Sequence, residues 1–274
     1  MVCLRVIPRG KLRKVTPGVT LSITPVKAAA FWASVNTGYR PPIMDELYFT
    51  MVWPGVIDQA IVIANPDLKP EKSTNYEVGS SLELSNVLGD GDKFFGKISY
   101  FYDDVKDFIS TDSWPDPANP NIWYFTSKNI DHVVRKGIEF SSSYALDNFS
   151  ANLSYGLVHA EDKESGVRVH GITPQSANLK LSYSLPKDPV EVWYRLHWSK
   201  GGESSVEIGR TGEYYNFGSF ATHALGAEWS PKVTGFSNLQ AGVAVTNFFN
   251  KRYRMLNGSY GYGRGVRVWL SALF

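Results

Sequence analysis

Ala177-Asn178-Leu179-Lys180-Leu181-Ser182-Tyr183-Ser184-Leu185 is the stretch that decides the fold class. Ala177, Leu179, Leu181, Tyr183 and Leu185 point one way, and the four polar residues between them point the other. Side chains of a β-strand alternate in this way, whereas a helix would repeat every 3.6 residues. The next segment repeats the pattern. Val190, Val192, Tyr194, Leu196 and Trp198 oppose Glu191, Trp193, Arg195 and His197. The same period runs through Val19–Ile23, Phe31–Val35, Tyr76–Leu84, Phe94–Tyr102, Ile138–Leu146, Phe149–Leu157, His223–Trp229, Leu239–Thr246 and Val266–Phe274. The reading is an all-β chain of about eleven strands with no helix.

Composition narrows the class. The chain has 274 residues, 14% aromatic and 20% charged, with a formal charge of +2. That is too aromatic for a disordered chain. There is no basic stripe to follow a phosphate backbone, so nucleic acid is not an expected partner. Cys3 is the single cysteine, which excludes an intrachain disulfide and a zinc–cysteine cluster. No apolar run approaches the roughly 18 residues of a spanning helix. A membrane β-barrel stays allowed, because its strands are apolar on one face only.

Connections between the strands alternate in length. Short ones lie at residues 25–27, 86–92, 147–148, 186–189 and 231–238. Long ones lie at 39–72, 110–121, 162–175, 201–218 and 251–263. An antiparallel up-and-down transmembrane β-barrel does this, with turns at one end and loops at the other. Trp198, Trp229, Tyr183, Tyr102 and Phe274 sit near strand ends, where aromatic girdles meet the lipid–water boundary. A passive porin-like barrel and a soluble all-β binding module are the alternatives. An enzyme is not expected: there is no His-Glu-x-x-His, Gly-x-Ser-x-Gly or phosphate-cradling glycine loop. The acidic groups Asp103/Asp104/Asp107 and Glu161/Asp162/Glu164 are read as facing solvent or lumen.

Several segments now resemble one family in its own motif order. Ser34-Val35-Asn36-Thr37-Gly38-Tyr39-Arg40-Pro41-Pro42, then Asp45-Glu46-Leu47-Tyr48, is similar to the "GFRAP…ELY" box of TonB-dependent outer-membrane receptors. Asn65-Pro66-Asp67-Leu68-Lys69-Pro70-Glu71-Lys72-Ser73, then Asn75-Tyr76-Glu77-Val78-Gly79, resembles their "NPxLKPExSxNYExG" box. Phe101-Tyr102 with Val105 to Ile109, Lys136 to Glu139, Asn247 to Tyr253, Gly263-Arg264 and the terminal Phe274 follow in order.

That resemblance implies a plugged barrel of roughly 22 strands. It also implies uptake of iron complexes, a siderophore or haem, driven by the TonB system from a Gram-negative outer membrane. The eleven strands would be the C-terminal half of the wall. Residues 1–16 read as an atypical amino-terminal segment and 17–274 as the partial barrel. No plug, TonB box or signal peptide is recognisable, so the expectation is a fragment not functional alone. The plug, the N-terminal half and TonB contact would come from elsewhere. An open sheet in hydrocarbon leaves unpaired edge groups costing several kcal/mol each. The lipid bilayer is one partner and the barrel-assembly machinery another, the latter reading Phe274.

The resemblance places the long loops outside. Ligand-mouth candidates are Tyr39, Arg40, Pro41, Pro42, Asn65, Asp67, Glu71, Trp123, His170, Arg210, Tyr214 and Tyr260. Pro41, Pro42 and Pro66 cannot donate ladder hydrogen bonds and so end pairing. Arg40 is expected to pair with Glu71 or Asp67. Haem receptors of this type carry a histidine between the two boxes, and residues 41–64 contain none. His170 is the remaining candidate iron ligand, and the aromatic and basic mouth residues set siderophore ahead of haem. Cobalamin and glycan stay open as cargo. No resident cofactor or metal is expected.

Overall fold

A computed structural model describes residues 2–6, 14–53, 59–169, 171–207, 214–256 and 259–273. The strands are β1 (Val2–Val6), β2 (Val15–Val26), β3 (Ala29–Arg40), β4 (Met51–Trp53), β5 (Gln59–Ile63), β6 (Glu71–Ser85), β7 (Lys93–Pro115) and β8 (Ile122–Leu146). They continue with β9 (Phe149–Asp162), β10 (Gln175–Ser184), β11 (Val190–Ser199), β12 (Gly202–Glu207), β13 (Tyr214–Phe217), β14 (Phe220–Trp229), β15 (Asn238–Thr246) and β16 (Gly265–Leu273). A one-turn helix, α1 (Met44–Tyr48), follows β3.

All eleven expected strands are present, as β2, β3, β6 to β11 and β14 to β16. They pair antiparallel with their sequence neighbours in the order β1-β2-β3-β6-β7-β8-β9-β10-β11-β14-β15-β16. The strand β1 adds one more, pairing Val2–Val6 with Val19–Val15 of β2. Among the described residues β1 and β16 do not pair with each other, so the sheet is open.

Three local readings change. Residues 41–70 are not a plain loop, because α1 and a β4–β5 hairpin lie within them. That hairpin adds parallel to β8, with Gln59–Ile63 opposite Ile122–Thr126. The connection 110–121 shrinks to 116–121, since β7 and β8 stay paired out to Pro115 and Trp123. Lastly, β12 and β13 form a hairpin of their own between β11 and β14. Strands of 23 and 25 residues far exceed the roughly 9–11 that cross a bilayer. This hairpin is therefore about twice as long as a bilayer crossing needs, with its excess on the long-loop side.

The register separates two faces. Directly paired residues share a face, so Val243, Ala227, Val192, Tyr183 and Phe149 form one outward row across β15, β14, β11, β10 and β9. Outward residues stay bare: Leu21 is 69% exposed, Val268 76% and Leu270 74%. Only eight hydrophobic residues are buried among those described. Such a sheet covers neither face with its own chain, which speaks against the soluble module.

The opposite face is polar. Lys180 pairs with Glu191 at 2.9 Å, and Trp32 Nε1 donates to Glu77 at 3.1 Å. Three inward tryptophans each lie flat on a glycine of the next strand: Trp32 on Gly79, Trp193 on Gly226 and Trp269 on Gly242. A Cβ at any of these glycines would collide with the ring. A cation lies near each tryptophan ring, Lys97 at 5.0 Å, Arg195 at 5.1 Å and Arg267 at 6.0 Å.

Short-end turns are tied by local polar groups. Asp147 takes φ 48° in the two-residue β8–β9 turn, a region Asp tolerates. In the β6–β7 turn Asp92 is fully buried and accepts N–H bonds from Val87, Leu88 and Gly89 at 2.7–3.0 Å, plus the Tyr144 hydroxyl at 3.1 Å. Burial alone would raise the Asp92 carboxyl, but these donors outweigh it and hold it below the ordinary carboxylate range. Its stabilisation is therefore complete above the unfolded value of about 3.9 and is lost as pH falls through the lower folded value.

Two outcomes follow from the fold. Asp92→Asn lowers the thermal midpoint at neutral pH and flattens the acid limb below about pH 4, read by circular dichroism in detergent. Leu181→Arg on the outward face costs about 2–4 kcal/mol in vesicles. Asn152→Arg, at an exposed position of the inward face opposite Lys180, costs clearly less, both read by urea unfolding.

Candidate functional site: the inward face at the long-loop end

Alternation places Arg40, Glu71, Ser73, Asn75, Asp103 and Arg135 on the inward face near the long-loop end. Arg40 donates Nε and Nη2 to the two carboxylate oxygens of Glu71 at 2.7 and 2.6 Å. Its Nη1 reaches Glu46 at 2.9 Å. Glu71 Oε1 also accepts the Ile109 N–H at 2.9 Å, so one carboxylate joins β3, β6 and β7. Glu46 in turn accepts the Ile43 N–H at 2.8 Å and caps α1. Beside this brace Asn75 bonds Asp103, and Arg135 pairs with Asp103 at 3.1 Å.

The second motif box is clamped to the β7–β8 hairpin. Asn65 Nδ2 donates to the Ser127 carbonyl at 2.8 Å. Asn129 accepts the Lys69 N–H at 2.9 Å and donates to the Lys69 and Asp107 carbonyls. Leu68 is buried beside this clamp, as are Val105, Ile109 and Val133 on β7 and β8. Pro41 and Pro42 carry the chain from β3 into α1.

The expected Arg40–Glu71 pair is present. Asp67 is not its partner: the Asp67 N–H donates to Asn65 Oδ1 at 3.1 Å, and Glu46 takes the second place on Arg40. Sequence reading missed Glu46, although it lies within the first quoted box. The alternation puts Tyr39 on the outward side with Val35. Trp123 lies at the tip of β8, opposite Pro115. The three aspartates do not act as a cluster. Asp103 meets Arg135, Asp104 meets His132 at 2.9 Å, and Asp107 meets Lys72 at 3.3 Å. Tyr260 belongs to the β15–β16 loop, far along the strand order, where Arg254 lies 4.3 Å from its ring. Tyr214 opens β13. His170, Arg210 and Phe274 lie outside the described residues. No group of three His, Cys, Asp or Glu placed to hold a metal occurs among the described residues.

Residues 6–248 match the family model described as "TonB dependent receptor-like, beta-barrel". The chain belongs to the TonB-dependent receptor β-barrel family. This family is one of receptors rather than enzymes. Among curated relatives, the chain is 27% identical over 248 residues to the heme/hemopexin utilization protein C of Haemophilus influenzae, covering 87% of this chain and 34% of the relative. It is 26% identical over 258 residues to a hemin receptor of Yersinia pestis, covering 92% and 36%. The chain thus spans about a third of the length of these relatives. A mutant of the ferric enterobactin receptor of Pseudomonas aeruginosa superposes with TM-score 0.70 at 18% identity, over 96% of this chain and 40% of that one. A copper transporter does so equally, with TM-score 0.70 at 17% identity, over 94% and 39%. Wall geometry is therefore shared by proteins named for different cargoes and shows the fold alone.

Breaking the brace isolates its role. Glu71→Gln removes charge-assisted bonds worth roughly 1.5–3 kcal/mol each. Limited chymotrypsin digestion then cleaves after Leu68, buried in the unaltered protein, faster than before, whereas Asp67→Asn leaves the rate unchanged.

Proposed function

We propose that this chain forms the carboxyl-terminal part, residues 17–274, of the wall of an outer-membrane receptor that takes up iron complexes. The observation that carries this reading is the family match across residues 6–248 on a sheet with one bare apolar face and one polar face. The apolar face meets lipid, and the polar face lines a water-filled lumen. The remaining wall and a plug complete the barrel and pass the energy of the TonB system to the lumen. Phe274 serves as the terminal signal for barrel assembly in a Gram-negative envelope. Relatives named for haem or hemin weigh toward haem, reversing the order suggested by the mouth residues alone.

Arg40, Glu46 and Glu71 act in this reading as the brace of the mouth loop. Their hydrogen-bonding capacity is largely taken up by one another. Asn65 and Asp67 hold the loop's return, and Pro41 and Pro42 its exit. Contact with cargo falls to other inward groups, with Trp123, His170, Arg210, Tyr214 and Tyr260 as mouth candidates.

The test uses an iron-starved strain with the gene intact or deleted. Accumulation of radiolabelled hemin iron falls on deletion to the level of a strain lacking TonB. Uptake that persists without TonB would instead support a passive barrel, and uptake unaffected by deletion would contradict the proposal.

A further inference from the structure

The loop between β15 and β16 is basic and has no acid of its own. Lys251, Arg252, Arg254 and Arg264 lie on it, and no Asp or Glu occurs between Trp229 and Phe274. Arg254 is engaged, with its guanidinium 4.3 Å from the Tyr260 ring and bonded to the Tyr260 hydroxyl. Lys251, Arg252 and Arg264 are exposed, and none of them forms an ion pair among the described residues.

Two asparagines hold this loop in shape. The buried Asn247 side chain donates to the Lys251 and Tyr262 carbonyls and accepts the Lys251 N–H, each at 2.9 Å. Asn250 Oδ1 accepts the Arg264 N–H at 3.0 Å. Both residues take a left-handed backbone, φ 44° and 53°, which Asn tolerates. The two arms that carry Lys251 and Arg264 are therefore tied together before any ligand arrives.

The register places these cations at the border of the outward face. Val266 and Val268 point outward, paired with Val245 and Val243. Arg264 continues that line, two residues or about 7 Å beyond Val266 at the long-loop end. Directly below, an outward groove of about 540 Å³ is lined by Leu181, Tyr194, Leu225, Ala227, Val243 and Val245. Its floor is Ala227, the short side chain between Val192 and Val243 in their row. Where the groove meets the loop, Phe249 packs edge-on against His223 at 4.9 Å, and the Tyr194 hydroxyl meets His223 Nδ1 at 2.7 Å. Aromatic groups of this kind gather at the lipid–water boundary.

Cations at that boundary above an apolar groove fit a molecule with an anionic head and a hydrocarbon tail. We propose that Lys251, Arg252 and Arg264 bind the phosphate of an acylated lipid of the outer leaflet, with an acyl chain in the Ala227 groove. A free anion would leave the groove empty. A second copy docked face to face would set the same acid-free loop against itself, which like charge opposes. Cargo passes on the inward face, on the other side of the sheet from this line. The assignment rests on the outer-membrane reading above and adds a bound lipid to it.

The complete receptor in mild detergent is titrated with fluorescent diphosphorylated lipid A and with its dephosphorylated form, and inorganic phosphate is added as competitor. A cation beside an anionic lipid surface contributes about fivefold in affinity, so three give the phosphorylated lipid an advantage of about 100-fold at low salt. The triple variant Lys251→Gln, Arg252→Gln, Arg264→Gln loses that advantage. Ala227→Trp fills the groove, weakens both lipids and keeps the advantage. Excess inorganic phosphate does not displace the lipid. Circular dichroism confirms that each variant retains its sheet. An advantage retained in the triple variant overturns the assignment, as does undiminished binding in Ala227→Trp or displacement of the lipid by inorganic phosphate. Hemin-iron uptake by the triple variant stays at the unaltered level. Lost uptake with an unchanged lipid preference would give these cations to the cargo, overturning the lipid site and leaving the uptake reading standing. Lipid preference as expected, with uptake unaffected by gene deletion, removes the uptake reading alone.

Discussion

Hydrocarbon offers no partner to a peptide group, and the rest of this structure follows from that. Every N–H and C=O that crosses the bilayer must be met by a neighbouring strand, because each unmet group costs several kcal/mol there. Long, continuous, neighbour-to-neighbour pairing satisfies this from β1 to β16. Outward side chains are then free to be apolar and bare, as Leu21, Val268 and Leu270 are. The same requirement bears on the two outer edges of the sheet. The far edges of β1 and β16 call for further strands before this wall can stand in lipid.

Above the membrane the constraint relaxes, and inward polarity turns from lining into construction. There β7 and β8 continue far beyond the bilayer, and the two motif boxes are fastened to them by Glu71, Asn65 and Asn129. A bidentate Arg40–Glu71 pair is a directional joint, because the planar guanidinium fits one carboxylate geometry. With Arg40 committed to Glu71 and Glu46, the quoted boxes act mainly as scaffolding for the mouth.

Much of this was legible in the sequence. The period of two located all eleven main strands, since each had one apolar face for lipid and one polar face for water. Periodicity does not report where lipid ends, so the overhang of β7 and β8 was read as loop. The short elements α1, β4, β5, β12 and β13 carry too few residues for a periodic signal, and their pairing is set by tertiary contacts. Arg40–Glu71 was readable because the two boxes occur together in the resemblance. Glu46 was missed because only the capping geometry of Ile43 turns its carboxylate toward Arg40. The Ala227 groove was invisible because its lining is spread over residues 149–245 and meets only through register.

The most direct measurement is spin labelling along β10 in lipid vesicles, with this wall completed by the remaining strands of its receptor. Cys3 is replaced, and single cysteines are placed from Ala177 to Ser184. Collision with oxygen reports hydrocarbon, and collision with a water-soluble nickel complex reports the lumen. The account predicts that labels at Leu179, Leu181 and Tyr183 favour oxygen, while those at Asn178 and Lys180 favour nickel. Equal access to nickel at all positions, or shielding from both probes on both faces, would contradict it.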